Sequence, residues 1–276
     1  MTDSKQLLDL ARDIAAQAGE LAKFRREQGV SVAASKSTAE DIVTHADREV
    51  EALIRRLISE ARPEDGFFGE ESGAERGTSG LTWVVDPIDG TVNYLYGVPQ
   101  YAVSVAVVDG EPDPLTWSAI AGVVFNPVLG EEFTAVAGGG AFLNGTRIHA
   151  TKDVEPSQAL VGTGFGYRAE VRMRQAQALT WLLGEVRDIR RAGAASLDLC
   201  AVACGRLDAY FEQGLQPWDH AAAALIAREA GARVSGLQGA AASSAMTIAA
   251  DAPLADFLES SLLNRADLGP DLSITG

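Results

Sequence analysis

The chain has 276 residues, of which 47% are apolar and 22% charged; its 38 acidic and 23 basic side chains leave a formal net charge of −15. That length and composition support a core of domain size, as one compact unit or two closely packed halves, and exclude long disorder away from the ends. The acidic balance without a Lys and Arg cluster argues against nucleic acid, and no stretch reads as a signal peptide or a membrane span.

Residues 3–28 place Leu7, Leu8, Ala11, Ile14, Ala15, Ala18, Leu21 and Ala22 at the three-four spacing of an amphipathic helix. A second helix is predicted over 46–61, with Val50, Leu53, Ile54, Leu57 and Ile58 on one face and Pro63 beyond its end. From GFFGEE onward the pattern turns to strands: LTWVVD, YAVSVAVV, TWSAIAGVVFN and EEFTAVA, with Asn126-Pro127 and Asn144-Gly145 as turns between strand-like runs. After residue 155 strands and helices alternate: strand ALVGTGFG, helix 170–184, strand VRDIR, helix 196–205, strand LDAYFE, helix 219–231, strand AMTIAA and helix 253–263. This predicts a second sheet with helices against its faces. The tail after Leu263 is expected to fray. Cys200 and Cys204, the only two cysteines, fall at i,i+4 on a predicted helix, as reduced thiols of a cytoplasmic protein would.

In WVVDPIDGT an apolar strand is expected to end at Asp86, where Pro87 has no N–H for the ladder and Asp89 follows three residues later. Two carboxylates and an intervening carbonyl around one point suit a hard cation such as Mg²⁺, Mn²⁺ or Ca²⁺. An Asp-rich turn is the alternative on this stretch alone. Glu70 and Glu71 in GEES, and Asp219 in WDHAA, each have a structural reading too: a solvated loop for the pair and an N-cap for Asp219. His45 and His220 are assigned surface or supporting roles. Lys36 either screens the acids or is solvated, and Tyr94, Tyr96 and Tyr167 belong to core packing or a pocket wall. GTGFG at 162–166 lacks the spacing of a dinucleotide fingerprint and reads as a strand end.

Taken together, GEES at 69–72, DPIDGT at 86–91, WDHAA at 218–222 and KSTAEDIVTHAD at 36–47 resemble, in order, the signature motifs of the inositol monophosphatase family of Mg²⁺-dependent, lithium-sensitive phosphatases. The resemblance implies an α+β fold layered αβαβα and a homodimer. It implies one unit over 1–276, with most metal ligands in 1–150 and Asp219 and the substrate contacts in 151–276. It further implies that Glu70, Asp86 and the Ile88 carbonyl hold one Mg²⁺ and that Asp86, Asp89 and Asp219 hold a second. Asp47 lies near a third, weaker ion, and Mn²⁺ is a possible substitute. Thr91 with Glu70 would orient the attacking water, and the Gly90 and Thr91 amides would hold the phosphate; Glu71 receives no ligand role.

By the same resemblance, RAGAASLDL points to Gly193, Ala194 and Ala195 as contacts to the leaving alcohol, and DAYFEQG points to Glu212 as a reader of ring hydroxyls. An acid there favours a neutral polyol over a second phosphate, so myo-inositol 1-phosphate is expected ahead of fructose bisphosphate or phosphoadenosine phosphate. Histidinol phosphate, a broader range of sugar phosphates, and a regulatory protein that keeps the fold are the alternatives.

Overall fold

The computed structural model describes residues 4–29, 32–35 and 42–265 of the chain. Helix α1 (Ser4–Glu27) buries Leu7, Ala11, Ile14, Ala15, Ala18 and Ala22 along one stripe, as its spacing predicts. An antiparallel pair, β1 (Val32–Ser35) and β2 (Ile42–Thr44), then intervenes before α2 (His45–Ala61). Strands of three and four residues carry too little periodicity to be read from sequence. Thr44 closes the start of α2 in a capping box, its backbone N–H donating to Asp47 Oδ2 at 2.7 Å.

The larger sheet is built from β3 (Gly66–Gly69), β4 (Gly73–Glu75), β5 (Leu81–Asp89), β6 (Ala102–Asp109), β7 (Ser118–Asn126), β8 (Glu131–Val136), β9 (Gly140–Leu143) and β10 (Thr146–Ile148). Their order is β10-β9-β8-β7-β6-β5-β3-β4, antiparallel except where β3 runs parallel to β5. The short helix α3 (Thr91–Tyr96) follows β5 directly, and the Asn144-Gly145 turn joins β9 to β10 with both residues at positive φ. The second sheet takes β11 (Leu160–Thr163), β12 (Asp188–Arg190), β13 (Ala209–Glu212), β14 (Arg233–Ser235) and β15 (Thr247–Ala250) in the order β12-β11-β13-β15-β14. Between these strands lie α4 (Ala169–Leu182), α5 (Ala195–Ala203) and α6 (Pro217–Glu229), and α7 (Ala252–Arg265) follows the last.

Alternation along β5 explains the layering. Trp83 and Val85 pack with Ile14, Ala18 and Ile54 of α1 and α2, while Val84 points the other way, into the cluster holding Leu199 and Val202 of α5 and Ala222 and Ile226 of α6. The far face of the second sheet buries Val161, Phe211 and Ile248 with Leu254 and Leu258 of α7. The order is therefore helices, sheet, helices, sheet, helices. Cys200 and Cys204 are free thiols. Among the described residues no helix is long and apolar enough to cross a membrane.

Two expectations about element ends are corrected. Strand β5 does not stop at Asp86: it runs to Asp89, and its pairing slips between Asp86 opposite Ser104 and Asp89 opposite Ala102. That irregularity absorbs the donor Pro87 lacks, so the ladder resumes instead of ending. Nor is Asp219 an N-cap; Gln216 caps α6, Pro217 opens it, and Asp219 is its third residue.

Helix α6 lies close against β7, because a Cβ on Gly122 would stand 3.0 Å from Ala222 Cα and from its carbonyl oxygen. Backbone cannot yield there. Gly122→Val is expected to cost about 1–3 kcal/mol in denaturant melts, and an unchanged midpoint would contradict this packing.

Candidate active site

The bulge in β5 turns the chain into a corner. Asp86 is 2% and Asp89 7% exposed, and the Ile88 N–H donates to Asp86 Oδ1 at 3.1 Å. Gly90 follows at φ +90°, and a Cβ there would meet the Gln100 carbonyl oxygen at 2.9 Å and the Ala194 methyl at 3.2 Å. Glycine alone fits this turn. Thr91 then begins α3, its hydroxyl 3.2 Å from the Ile88 carbonyl oxygen and 3.3 Å from Asp47 Oδ1. Asp47 is buried at the start of α2, so β5 and α2 meet through Thr91.

The remaining acids arrive from neighbouring elements. Glu70 follows β3, and its N–H donates to the Val85 carbonyl at 3.2 Å, which ties it beside β5. Asp219 Oδ2 accepts the Gln216 N–H at 2.7 Å in the first turn of α6. Glu212 ends β13 and accepts a hydrogen bond from the Tyr210 hydroxyl. A cleft brings Asp89, Gly90 and Thr91 against Gly193, Ala194 and Ala195, and takes in Glu212 and Asp219 as well. Asp86, Ile88, Asp47 and Glu70 do not line it but stand behind or beside the β5 corner.

The electrostatics of this corner are strained. Burial, then the charges of Glu70, Asp89 and Asp219, hold the Asp86 carboxyl well above the ordinary range. Asp219 is raised by burial and then by Asp89 and Glu70. Asp89 is raised by burial, with hydrogen bonds from Ser196 opposing the rise. Burial also pushes Glu212 up to about 7. Among the described residues no three acidic, histidine or cysteine side chains stand in a ready-made metal cage. Asp86, Asp89 and Asp219 are each held by a donor of their own, and like charges do not draw together unaided. The donor set fits a hard divalent cation nevertheless: it is all oxygen, and it concentrates negative charge that a cation would offset.

Several residues at the site were not singled out from sequence. Ser196 donates to Asp89 Oδ2 through both its N–H, at 2.8 Å, and its hydroxyl, at 2.5 Å, a link spanning 107 residues. Asp198 is 3% exposed and borders the cleft. Glu51 is buried in α2 and accepts the Glu71 N–H at 2.8 Å. A Cβ on Gly164 would collide with the Glu212 carboxylate, so the first glycine after β11 makes room for that acid. In the sequence GTGFG reads as a strand end, which does not show what approaches it.

The remaining assignments resolve as follows. His220 is buried, not at the surface, with its ring 6.3 Å from Trp117, and burial pushes its imidazole down to about 4. His45 is exposed. Tyr94 is core, its hydroxyl donating to the Ala22 carbonyl at 2.8 Å, whereas Tyr96 is exposed and Tyr167 borders the cleft. Lys36 lies outside the described residues.

Comparison with known proteins points to one family. The model of the inositol monophosphatase family matches residues 3–264. The inositol-1-monophosphatase SuhB of Mycobacterium tuberculosis is 40% identical over 284 residues, covering 96% of both chains. The Nus factor SuhB of Escherichia coli is 38% identical over 236 residues, covering 84% of this chain and 86% of its own. Among solved structures, extragenic suppressor protein suhB from Bartonella henselae superposes with a TM-score of 0.86 at 34% identity, covering 94% of this chain and 99% of its own.

Proposed function

The chain belongs to the inositol monophosphatase family, and from that premise we propose that it is a Mg²⁺-dependent phosphatase of phosphorylated polyols, with myo-inositol 1-phosphate as substrate. The observation that carries the reading is the gathering of Asp86, Asp89, Asp219 and Glu70, the last three each raising the proton affinity of Asp86, at the Gly90-Thr91 turn of a cleft that also holds Glu212.

In this reading Glu70, Asp86 and the Ile88 carbonyl hold one cation, and Asp86, Asp89 and Asp219 hold a second. Asp47 serves a third through water, and Mn²⁺ can substitute. The cations supply charge neutralisation and acidify water, which a phosphate monoester needs because its uncatalysed hydrolysis is so slow. Thr91, with its hydroxyl between Asp47 and the Ile88 carbonyl, orients the attacking water together with Glu70. The Gly90 and Thr91 amides take the phosphate oxygens, a role the absence of any side chain on Gly90 leaves open to them. Gly193, Ala194 and Ala195 leave space for the leaving alcohol, and Glu212, steadied by Tyr210 and given room by Gly164, accepts hydroxyl hydrogen bonds. A cytoplasmic homodimer completes the proposal.

Chelator is expected to abolish phosphate release and Mg²⁺ to restore it, with millimolar lithium inhibiting the restored enzyme. Turnover that survives chelation would overturn the metal assignment, and indifference to lithium would overturn the composition of the second position. A regulatory role is the second reading, favoured by the Nus factor name of relatives 38–42% identical to this chain. A stoichiometric protein partner recovered from lysate, with negligible turnover of any phosphate ester, would favour it.

A further inference from the structure

We propose that Asp198 is a specificity-determining residue that, beside Glu212, reads the hydroxyls of the leaving alcohol. The inference rests on the phosphatase reading of the same cleft and extends it to a residue with no part in holding cations or phosphate.

Asp198 sits in the first turn of α5, 3% exposed, with its backbone N–H bonded to the Ala194 carbonyl at 3.0 Å. Its carboxyl differs from the other acids at the site. Asp86 accepts from the Ile88 N–H, Asp89 from Ser196, Glu212 from Tyr210 and Asp219 from the Gln216 N–H. No described residue donates a hydrogen bond to Asp198. A carboxyl that lines the cleft with no protein donor leaves its acceptor sites for a ligand or water to complete. It borders the cleft, and the charges that act on it are those of Asp89 and Glu212, raising its proton affinity, and Arg191, lowering it.

The position is fixed as well as unpartnered. Ser196, two residues earlier on α5, is tied to Asp89 by its N–H and its hydroxyl, so the helix that carries Asp198 is registered against the β5 corner. The phosphate seat assigned to Gly90 and Thr91 leaves the Glu212 and Asp198 side of the cleft for the alcohol. Two carboxyls there would repel a second phosphate. A neutral ring bearing adjacent hydroxyls gives each of them a partner.

The test compares wild type, Asp198→Ala and Asp198→Asn on myo-inositol 1-phosphate, on histidinol phosphate and on cyclohexyl phosphate, the last having the ring and the ester but no other hydroxyl. A site that hydrogen-bonds hydroxyls rejects the analogue lacking them by orders of magnitude. Asp198→Ala is expected to lower the inositol-to-cyclohexyl ratio of kcat/KM at least tenfold, chiefly through KM for the inositol ester. Asp198→Asn, which keeps a donor and an acceptor, should recover part of that ratio. Thermal melts of each variant separate this from loss of fold. An unchanged ratio in a folded Asp198→Ala protein overturns the inference and leaves the proposed function standing. Failure of wild type to hydrolyse either ester overturns the proposed function instead. A larger loss on histidinol phosphate than on the inositol ester would mean that Asp198 reads an ammonium, and it overturns the hydroxyl assignment.

Discussion

Asp89→Asn is expected to reduce phosphate release by about 10³-fold or more while leaving the fold intact. A loss of that size is about 4 kcal/mol of transition-state stabilisation, the scale on which charge-stabilising groups act. Asparagine keeps an oxygen for the Ser196 N–H and hydroxyl, so the tie between the β5 corner and α5 survives. Removing one negative charge from the cluster also relieves Asp86 and Asp219, both of which are raised partly by Asp89. The metal-free variant should therefore melt no lower than metal-free wild type, and its stabilisation by Mg²⁺ should shrink. A variant with kcat/KM within tenfold of wild type would remove Asp89 from the site.

The second large effect is on stability. Chelator-treated protein is expected to lose stability as pH rises from about 6.5 to about 8.5, and saturating Mg²⁺ is expected to flatten that loss. Asp198 titrates at about 8 against an ordinary 3.8, and Glu212 at about 7 against 4.5, so over this range the folded state binds more protons than the unfolded state. The excess makes the slope of stability with pH negative, its benefit complete below the unfolded values and lost through the folded ones. His220 works in the opposite sense: lowered to about 4 from 6.5, it makes stability rise with pH, but only below about 6.5. Above that point the carboxyls govern. Asp198 alone spans about 1.5 pH units of the window, or about 2 kcal/mol. Urea melts at the two pH values, with Mg²⁺ and with chelator, would show it. Metal-free stability that rises across the window would contradict the account of a charge-crowded corner.

What was legible in the sequence was what is contiguous in the chain. DPIDGT and GEES hold their carboxylates within a few residues of one another, and the long amphipathic stripe of α1 and the apolar runs of β5 to β8 repeat often enough to be read. The layered fold was implied by the family resemblance, not by the order of elements alone. What was missed depends on distant segments meeting. Ser196 reaches Asp89 across 107 residues, and Asp198 looks like any acid in the first turn of a helix until α5 is seen to carry it into the cleft. Gly164 gave a visible glycine but not the Glu212 carboxylate it accommodates. The element ends misread at Asp86 and Asp219 share one cause: proline was taken as a stop at β5 and overlooked as a start at α6, where it occupies the first helical position.

The central claim is that the acidic corner and the cleft beside it hydrolyse a phosphorylated polyol with the help of Mg²⁺. Phosphate release from myo-inositol 1-phosphate, histidinol phosphate, fructose 1,6-bisphosphate and phosphoadenosine phosphate, each with Mg²⁺ and with chelator, tests it most directly. The account predicts Mg²⁺-dependent turnover with the highest kcat/KM on the inositol ester; a chelator-insensitive reaction, or no turnover of any of the four, would contradict it.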